Sequence, residues 1–205
     1  MKRRFPALSL AAALAALAVP APAVAQGAPQ WLTPPGDLPR VERGAQTYSL
    51  DTLFSALKIA PDESSAKAIE EHIWAVWVIS GSDTCDLLMS RVKDATEEKN
   101  YDLALKLLDA VIAIKPDYVE AWNERATVYY LKEDYPRSIA DIAEVLAREP
   151  RHFGALSGLG LMLQEIGDDK DALDAYRRAL AIDPHLDNIA DTIKSLRDKV
   201  EGREI

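Results

Sequence analysis

Residues 119–152 read VEAWNERATVYYLKEDYPRSIADIAEVLAREPRH, and residues 153–186 read FGALSGLGLMLQEIGDDKDALDAYRRALAIDPHL. The two lines are in phase. Trp122 stands where Leu156 does, Ala126 where Gly160 does, Ser138 where Ala172 does, and Pro150 where Pro184 does. Residues 85–118 supply a third line, with Leu88, Val92, Ala104 and Pro116 in the same places. The step from Leu88 to Trp122 to Leu156 is 34 residues each time. A fixed period of this length marks stacked supersecondary units.

Within each line the apolar residues keep helical spacing. Trp122, Ala126 and Tyr129 fall at i, i+4 and i+7, one face of a helix. After a short turn at Lys132, Glu133 and Asp134, the residues Ser138, Ile142 and Val145 repeat that spacing. The third line does the same with Leu156, Leu159, Gly160 and Leu163, then with Ala172, Leu173, Tyr176, Ala179 and Leu180. Pro116, Pro150 and Pro184 end each second helix, because proline lacks a donor and turns the preceding residue away from helix. Each line is therefore two antiparallel helices joined by a tight turn. Neither helix buries its apolar stripe alone, so neighbouring pairs must stack into an all-α solenoid.

This pattern resembles the tetratricopeptide repeat family. Trp122, Ala126, Tyr129, Tyr135, Ser138, Ile142, Val145 and Pro150 carry the likeness in the second copy. Leu156, Leu159, Gly160, Gly167, Asp168, Ala172, Tyr176, Ala179 and Pro184 carry it in the third, and Tyr101, Ala104, Leu108 and Pro116 in the first. The resemblance implies a right-handed superhelix whose first helices line a concave groove for a peptide or helix of a partner. Carried over position by position, that groove holds Asp86, Met89, Ser90 and Lys93 in the first copy. It holds Glu120, Asn123, Thr127 and Tyr130 in the second, and Gly154, Ser157, Leu161 and Gln164 in the third. From these, Met89, Lys93, Asn123, Thr127, Tyr130, Ser157 and Leu161 are the expected binding residues, with Asn123 bonding a ligand backbone and Tyr130 giving a flat contact. The family's clamp for a C-terminal carboxylate is missing. Met89, Lys93, Glu124, Gly154 and Ser157 stand at or near its places.

The flanks are irregular. Met1 to Arg4 is basic, residues 7–19 are nearly all Ala and Leu, and Ala23, Val24 and Ala25 form a small-x-small pattern. Residues 1–25 read as a cleavable signal peptide, which places the mature protein in the periplasm or outside the cell. Residues 26–46 form a Pro/Gly-rich linker, with Trp31 and Leu32 as an apolar pair that either docks on the body or serves a partner. Residues 47–84 read as a divergent helix pair, a fourth repeat out of register. Leu50, Leu53, Phe54 and Leu57 mark its first helix, and Ala68, Ile69, His72, Ala75 and Val76 its second, with His72 in place of a core aromatic. Trp74 and Trp77 lie three apart there, so one packs on the next repeat and the other is a candidate dimerisation patch. Residues 85–184 hold the three repeats, and residues 187–205 a capping helix and tail, with Ile189, Ile193, Leu196 and Val200 on one side. Arg91 and Arg125 take repeat positions that are usually apolar. Each is expected to lay its stem on the core and pair with a carboxylate.

Composition narrows the function. The formal charge is −9, and removing residues 1–25, which carry Lys2, Arg3 and Arg4 but no acid, takes it to −12. That balance argues against nucleic acid and, once the signal is cleaved, against an anionic membrane. It suits a protein or peptide partner, and a homo-oligomer is an open alternative. Cys85, the only cysteine, allows no internal disulfide and reads as a buried small hydrophobe. His72, His152 and His185 are far apart in the repeat plan, and none has metal-ligand spacing. The acidic pairs Glu70 and Glu71, Glu97 and Glu98, and Asp168 and Asp169 point apart on helices or sit at turns. No phosphate loop, catalytic motif or cofactor motif is present. The sequence therefore reads as a non-catalytic scaffold or adaptor, with no metal and no cofactor expected. The alternative is a structural protein that binds only itself.

Overall fold

A computed structural model describes residues 49–186 and 189–202, together with Pro35 and Leu38. The leader, Trp31 and Leu32 lie outside the described residues. Among the described residues there are nine helices and no strand. They are α1 (Leu50–Leu57), α2 (Glu63–Trp77), α3 (Asp83–Glu97), α4 (Tyr101–Ile114), α5 (Val119–Leu131), α6 (Tyr135–Arg148), α7 (Phe153–Glu165), α8 (Asp169–Ile182) and α9 (Ile189–Val200).

The turn inside each repeat is built the same way three times. Lys99, Glu133 and Gly167 adopt φ of 57°, 58° and 86°. The next amides, of Asn100, Asp134 and Asp168, reach back to the carbonyls of Ala95, Tyr129 and Leu163 at 2.7, 2.9 and 2.8 Å. This closure of a helix needs one left-handed residue. Gly167 adopts it freely, whereas Lys99 and Glu133 each carry a strain of roughly 1–2 kcal/mol. The side chains of Asn100, Asp134 and Asp168 then accept the amides of Leu103, Arg137 and Asp171, each at 3.3 Å. One polar residue thus ends one helix and caps the next.

Close approach within a pair depends on small residues. Ser138 Oγ donates to the Ala126 carbonyl at 2.6 Å. A Cβ on Gly160 would stand 2.7–2.9 Å from ring atoms of Tyr176. Between pairs, α4 packs on α5, α6 on α7 and α8 on α9. Val128 of α5 joins the core of Val92 and Leu108. Ala155 and Met162 of α7 join Ile142 and Val145. Ile189 and Leu196 of α9 join Leu173 and Tyr176, while Asp191, Lys194, Arg197 and Asp198 stay exposed. On the outside, Arg125 makes two 2.8 Å bonds to Asp141 and one of 2.7 Å to Asp109. Its counterpart Arg91 is exposed.

The α1–α2 pair departs from the expected stack. α2 makes no packing on α3 comparable to that between repeats. The apolar side of the hairpin, with Leu57 of α1 and Ile73, Trp74 and Trp77 of α2, instead shares a core with Phe153, Leu156 and Leu186. The bulky indoles find flat partners at the start of α7, so this hairpin is not a fourth repeat in the stack. Leu38 packs against the same core. Among the described residues no helix pair packs in front of the first repeat, and Leu87 and Leu103 are 60% and 43% exposed.

Gly160→Leu tests the close crossing. We expect a loss of roughly 1–3 kcal/mol from overpacking against Tyr176, read as a lower urea midpoint. An unchanged midpoint would contradict the packing described for α7 and α8.

Candidate functional site: a groove covered by the protein's own hairpin

The groove positions fall into two sections. On α3, Asp86, Ser90 and Lys93 are exposed and Met89 is half-buried. On α5 and the first half of α7, Glu120, Asn123, Thr127, Tyr130, Gly154 and Ser157 are buried; farther along α7, Leu161 is half-buried and Gln164 exposed. Asn123, expected to bond a ligand, donates its amide to Glu120 Oε2 at 3.1 Å. Tyr130, expected to be a flat contact, donates its hydroxyl to Glu165 at 3.1 Å. Thr127 and Ser157 turn their hydroxyls back to the carbonyls of Asn123 and Phe153.

The α1–α2 hairpin lies across the N-terminal ends of these helices. Its contacts fall at the corners between repeats, just after the stop prolines. Tyr118 Oη donates to the Val78 carbonyl at 2.8 Å. Arg151 bonds the Asp51 carboxylate at 2.6 Å, and its guanidinium lies 4.4 Å over the Phe54 ring. His185 Nε2 donates to the Ala60 carbonyl at 3.2 Å. In the centre, the Trp77 ring stacks on His152 with centroids 4.1 Å apart and planes 7° apart. Trp74 meets His152 and Phe153 edge-on at 5.3 and 5.8 Å. Both tryptophans are therefore buried, and neither is an exposed dimerisation patch. Their rings gain more from these aromatic faces than from water.

Under the stack lies a polar layer. His152 Nδ1 accepts the Ala155 amide at 3.0 Å and so caps α7. With Nδ1 an acceptor, the ring hydrogen sits on Nε2 and donates to Glu120 Oε1 at 2.8 Å. The chain Asn123, Glu120, His152, Trp77 thus runs from groove floor to hairpin. Glu124, one turn beyond Glu120, has its carboxyl pushed up to about 8, chiefly by burial, then by the Glu120 charge, with Lys93 opposing. Burial, and after it Glu120 and Glu124, pushes the Tyr118 phenol well above its ordinary range. Asn123 and His152 both bond the Glu120 carboxylate. Among the described residues no group of His, Cys, Asp and Glu has a metal-holding arrangement. Cys85 is fully buried.

The histidines do not sit where the sequence placed them. His72 is exposed and bonds only its own helix, at Ala68. His152 and His185, read as isolated, are two of the contact points. A signal was present. Tyr118, His152 and Leu186 recur at the repeat period, two residues after each proline.

The repeats place the chain among known proteins. A tetratricopeptide repeat profile matches residues 91–144 and 132–187. A TPR repeat-containing protein of Rhizobium etli is 44% identical over 153 residues, 75% of this chain and 75% of that protein. The chain belongs to the tetratricopeptide repeat family. The Rhizobium likeness is longer than the chain from residue 85 onward, so it runs into the hairpin segment. Small glutamine-rich tetratricopeptide repeat-containing protein 2 of Saccharomyces cerevisiae is 28% identical over 57% of this chain, which spans 34% of that protein. Two solved structures share the fold. The first TPR of Spaghetti bound to an HSP90 peptide superposes with a TM-score of 0.55 at 16% identity, over 58% of this chain and 95% of that one. MamA from Desulfovibrio magneticus RS-1 gives 0.52 at 15% identity, over 74% and 83%.

The raised Glu124 carboxyl predicts a pH effect with a definite sign. A free glutamate titrates near about 4.3. Between there and about 8 the folded protein holds a proton that the unfolded chain has released, so this group lowers stability as pH rises through that window. Urea midpoints at pH 5 and pH 8 should fall less for Glu124→Gln than for the wild type. Equal falls would contradict the buried, protonated carboxyl.

Proposed function

We propose that this protein is an exported, non-catalytic adaptor or scaffold that binds a peptide or helical segment of an envelope protein. Three things support the reading. The chain belongs to a family whose fold mediates protein–protein contacts. The leader reads as an export signal. The observation that carries it is the groove: its α3 section is open, with Lys93, Ser90 and Asp86 exposed beside half-buried Met89. In its covered section Asn123 and His152 both bond the Glu120 carboxylate. A neighbouring fold carries an HSP90 peptide; this chain lacks the clamp residues for a C-terminal carboxylate, so a different ligand is proposed. One observation favours a second reading. Leu87 and Leu103 are exposed on a helix pair that no preceding pair among the described residues covers, and self-association there would give a homo-oligomer.

A photo-crosslinking residue in place of Lys93 tests this in the periplasm of intact cells. We expect a discrete adduct with another protein, weakened by Met89→Asp. Adducts only with a second copy of the chain would establish the self-association reading. No adduct at all would contradict both.

A further inference from the structure

The hairpin sits on the groove as a ligand would, and its seat defines what else fits there. Three donors stand at successive corners: Tyr118 Oη, the Arg151 guanidinium and His185 Nε2. Two of them take carbonyls just beyond helix ends, Val78 after α2 and Ala60 after α1. The Val78 carbonyl, at the C-cap of α2, lacks an intrahelical donor and carries the negative end of that helix's dipole, so the Tyr118 corner reads a helix C-terminus. Between the donors, His152 takes one indole face-on, and His152 and Phe153 take the other edge-on.

Two observations show that the fit to α2 is incomplete. Trp77 Nε1 is buried with no acceptor among the described residues, and an unpaired buried donor weakens the docked state. The segment 78–82 joins α2 to α3 without packing α2 on α3. Within it Gly81 has φ +73° and open space around it, and its side-chain ties to α3 are Ser80 Oγ donating to the Asp86 carboxylate and Ser82 Oγ accepting the Cys85 amide. The hairpin can therefore leave without parting any repeat from its neighbour.

We propose that this row of corners is a docking site for the C-terminal end of an amphipathic partner helix with two aromatic side chains three residues apart. In this proposal α2 is the built-in occupant that the partner displaces. It rests on the interaction-module reading and adds the partner's chemistry and the competitor. An internal occupant acts at an effective concentration of about millimolar, so a free helix of equal intrinsic affinity binds poorly until the hairpin lets go.

The probe is a dye-labelled synthetic peptide of residues 62–78, DESSAKAIEEHIWAVWV, titrated into the chain from residue 26 onward. The double variant Trp74→Ala/Trp77→Ala should bind it at least about tenfold more tightly than the wild type does, because the internal competitor is gone. A peptide with both tryptophans changed to alanine should not bind. A folded double variant that binds no better than the wild type would overturn the proposal. Hydrogen exchange on the wild type is the second arm and needs no variant. Amides of α2 should exchange at least about tenfold faster than those of α5 to α8, whereas equal protection would overturn it. Light scattering that shows hairpins exchanged between two copies would also overturn it, in favour of a swapped dimer. None of these failures touches the crosslink at Lys93, which tests the interaction-module reading separately.

Discussion

Trp77 lying flat on His152 joins the two halves of this protein. On one side of the stack is a hairpin that sequence order would place in front of the first repeat. On the other is the start of α7, and below it the Glu120 carboxylate and the Asn123 amide. The position of His152 is fixed three times over: by the α7 amide it caps, by Glu120, and by the indole above it. A ring held that way is a rigid platform, and the hairpin's other contacts fall on either side of it at matching corners of neighbouring repeats.

Opposing terms decide what this arrangement achieves. Removing Leu57, Ile73 and Trp74 from water stabilises the docked hairpin, by roughly 1.5–3 kcal/mol for a large apolar side chain buried in full. Burying Glu120 works against it, since a carboxyl leaves water at a penalty. The Glu120 bonds to His152 and Asn123 offset that penalty without turning it into a large gain. A buried polar pair adds little over a well-packed apolar one, yet losing one partner costs about 3–5 kcal/mol. The apolar faces therefore supply the attraction, while the polar layer specifies where the hairpin sits. The repeats need no such layer. Their small residues at the crossings and their shared turn-and-cap residues already fix one packing.

The repeats were legible in the sequence because each physical requirement leaves a residue at a fixed spacing. Close crossing demands Ala126 or Gly160, the turn demands Asn100, Asp134 or Asp168, and the stop demands proline. The helices of the hairpin were also visible, from Leu53, Phe54, Ile69 and Val76. Its place was not. Nearness in sequence suggested stacking on α3, but the choice between α3 and the groove depends on which surface offers flat rings and free donors. Those residues, Tyr118, Arg151, His152 and His185 in the short connections after the prolines and Phe153 at the start of α7, keep the repeat period in part, but that spacing does not say which surface they serve. For the same reason Asn123 was assigned to the groove without any sign that the hairpin's polar layer reaches it, while Tyr130 is buried between its own repeat and the next.

The central claim is that the N-terminal hairpin rests on the groove and not on the first repeat. Asp51 of α1 and Arg151 before α7 meet directly in this arrangement, far apart as they are in the chain. The measurement is a short bis-maleimide cross-link between Asp51→Cys and Arg151→Cys in a Cys85→Ala background, at low protein concentration. The account expects a cross-link within a single chain, seen as a monomer of altered mobility. A hairpin stacked on α3 and α4 would give no such product, and that result would contradict the structure described here.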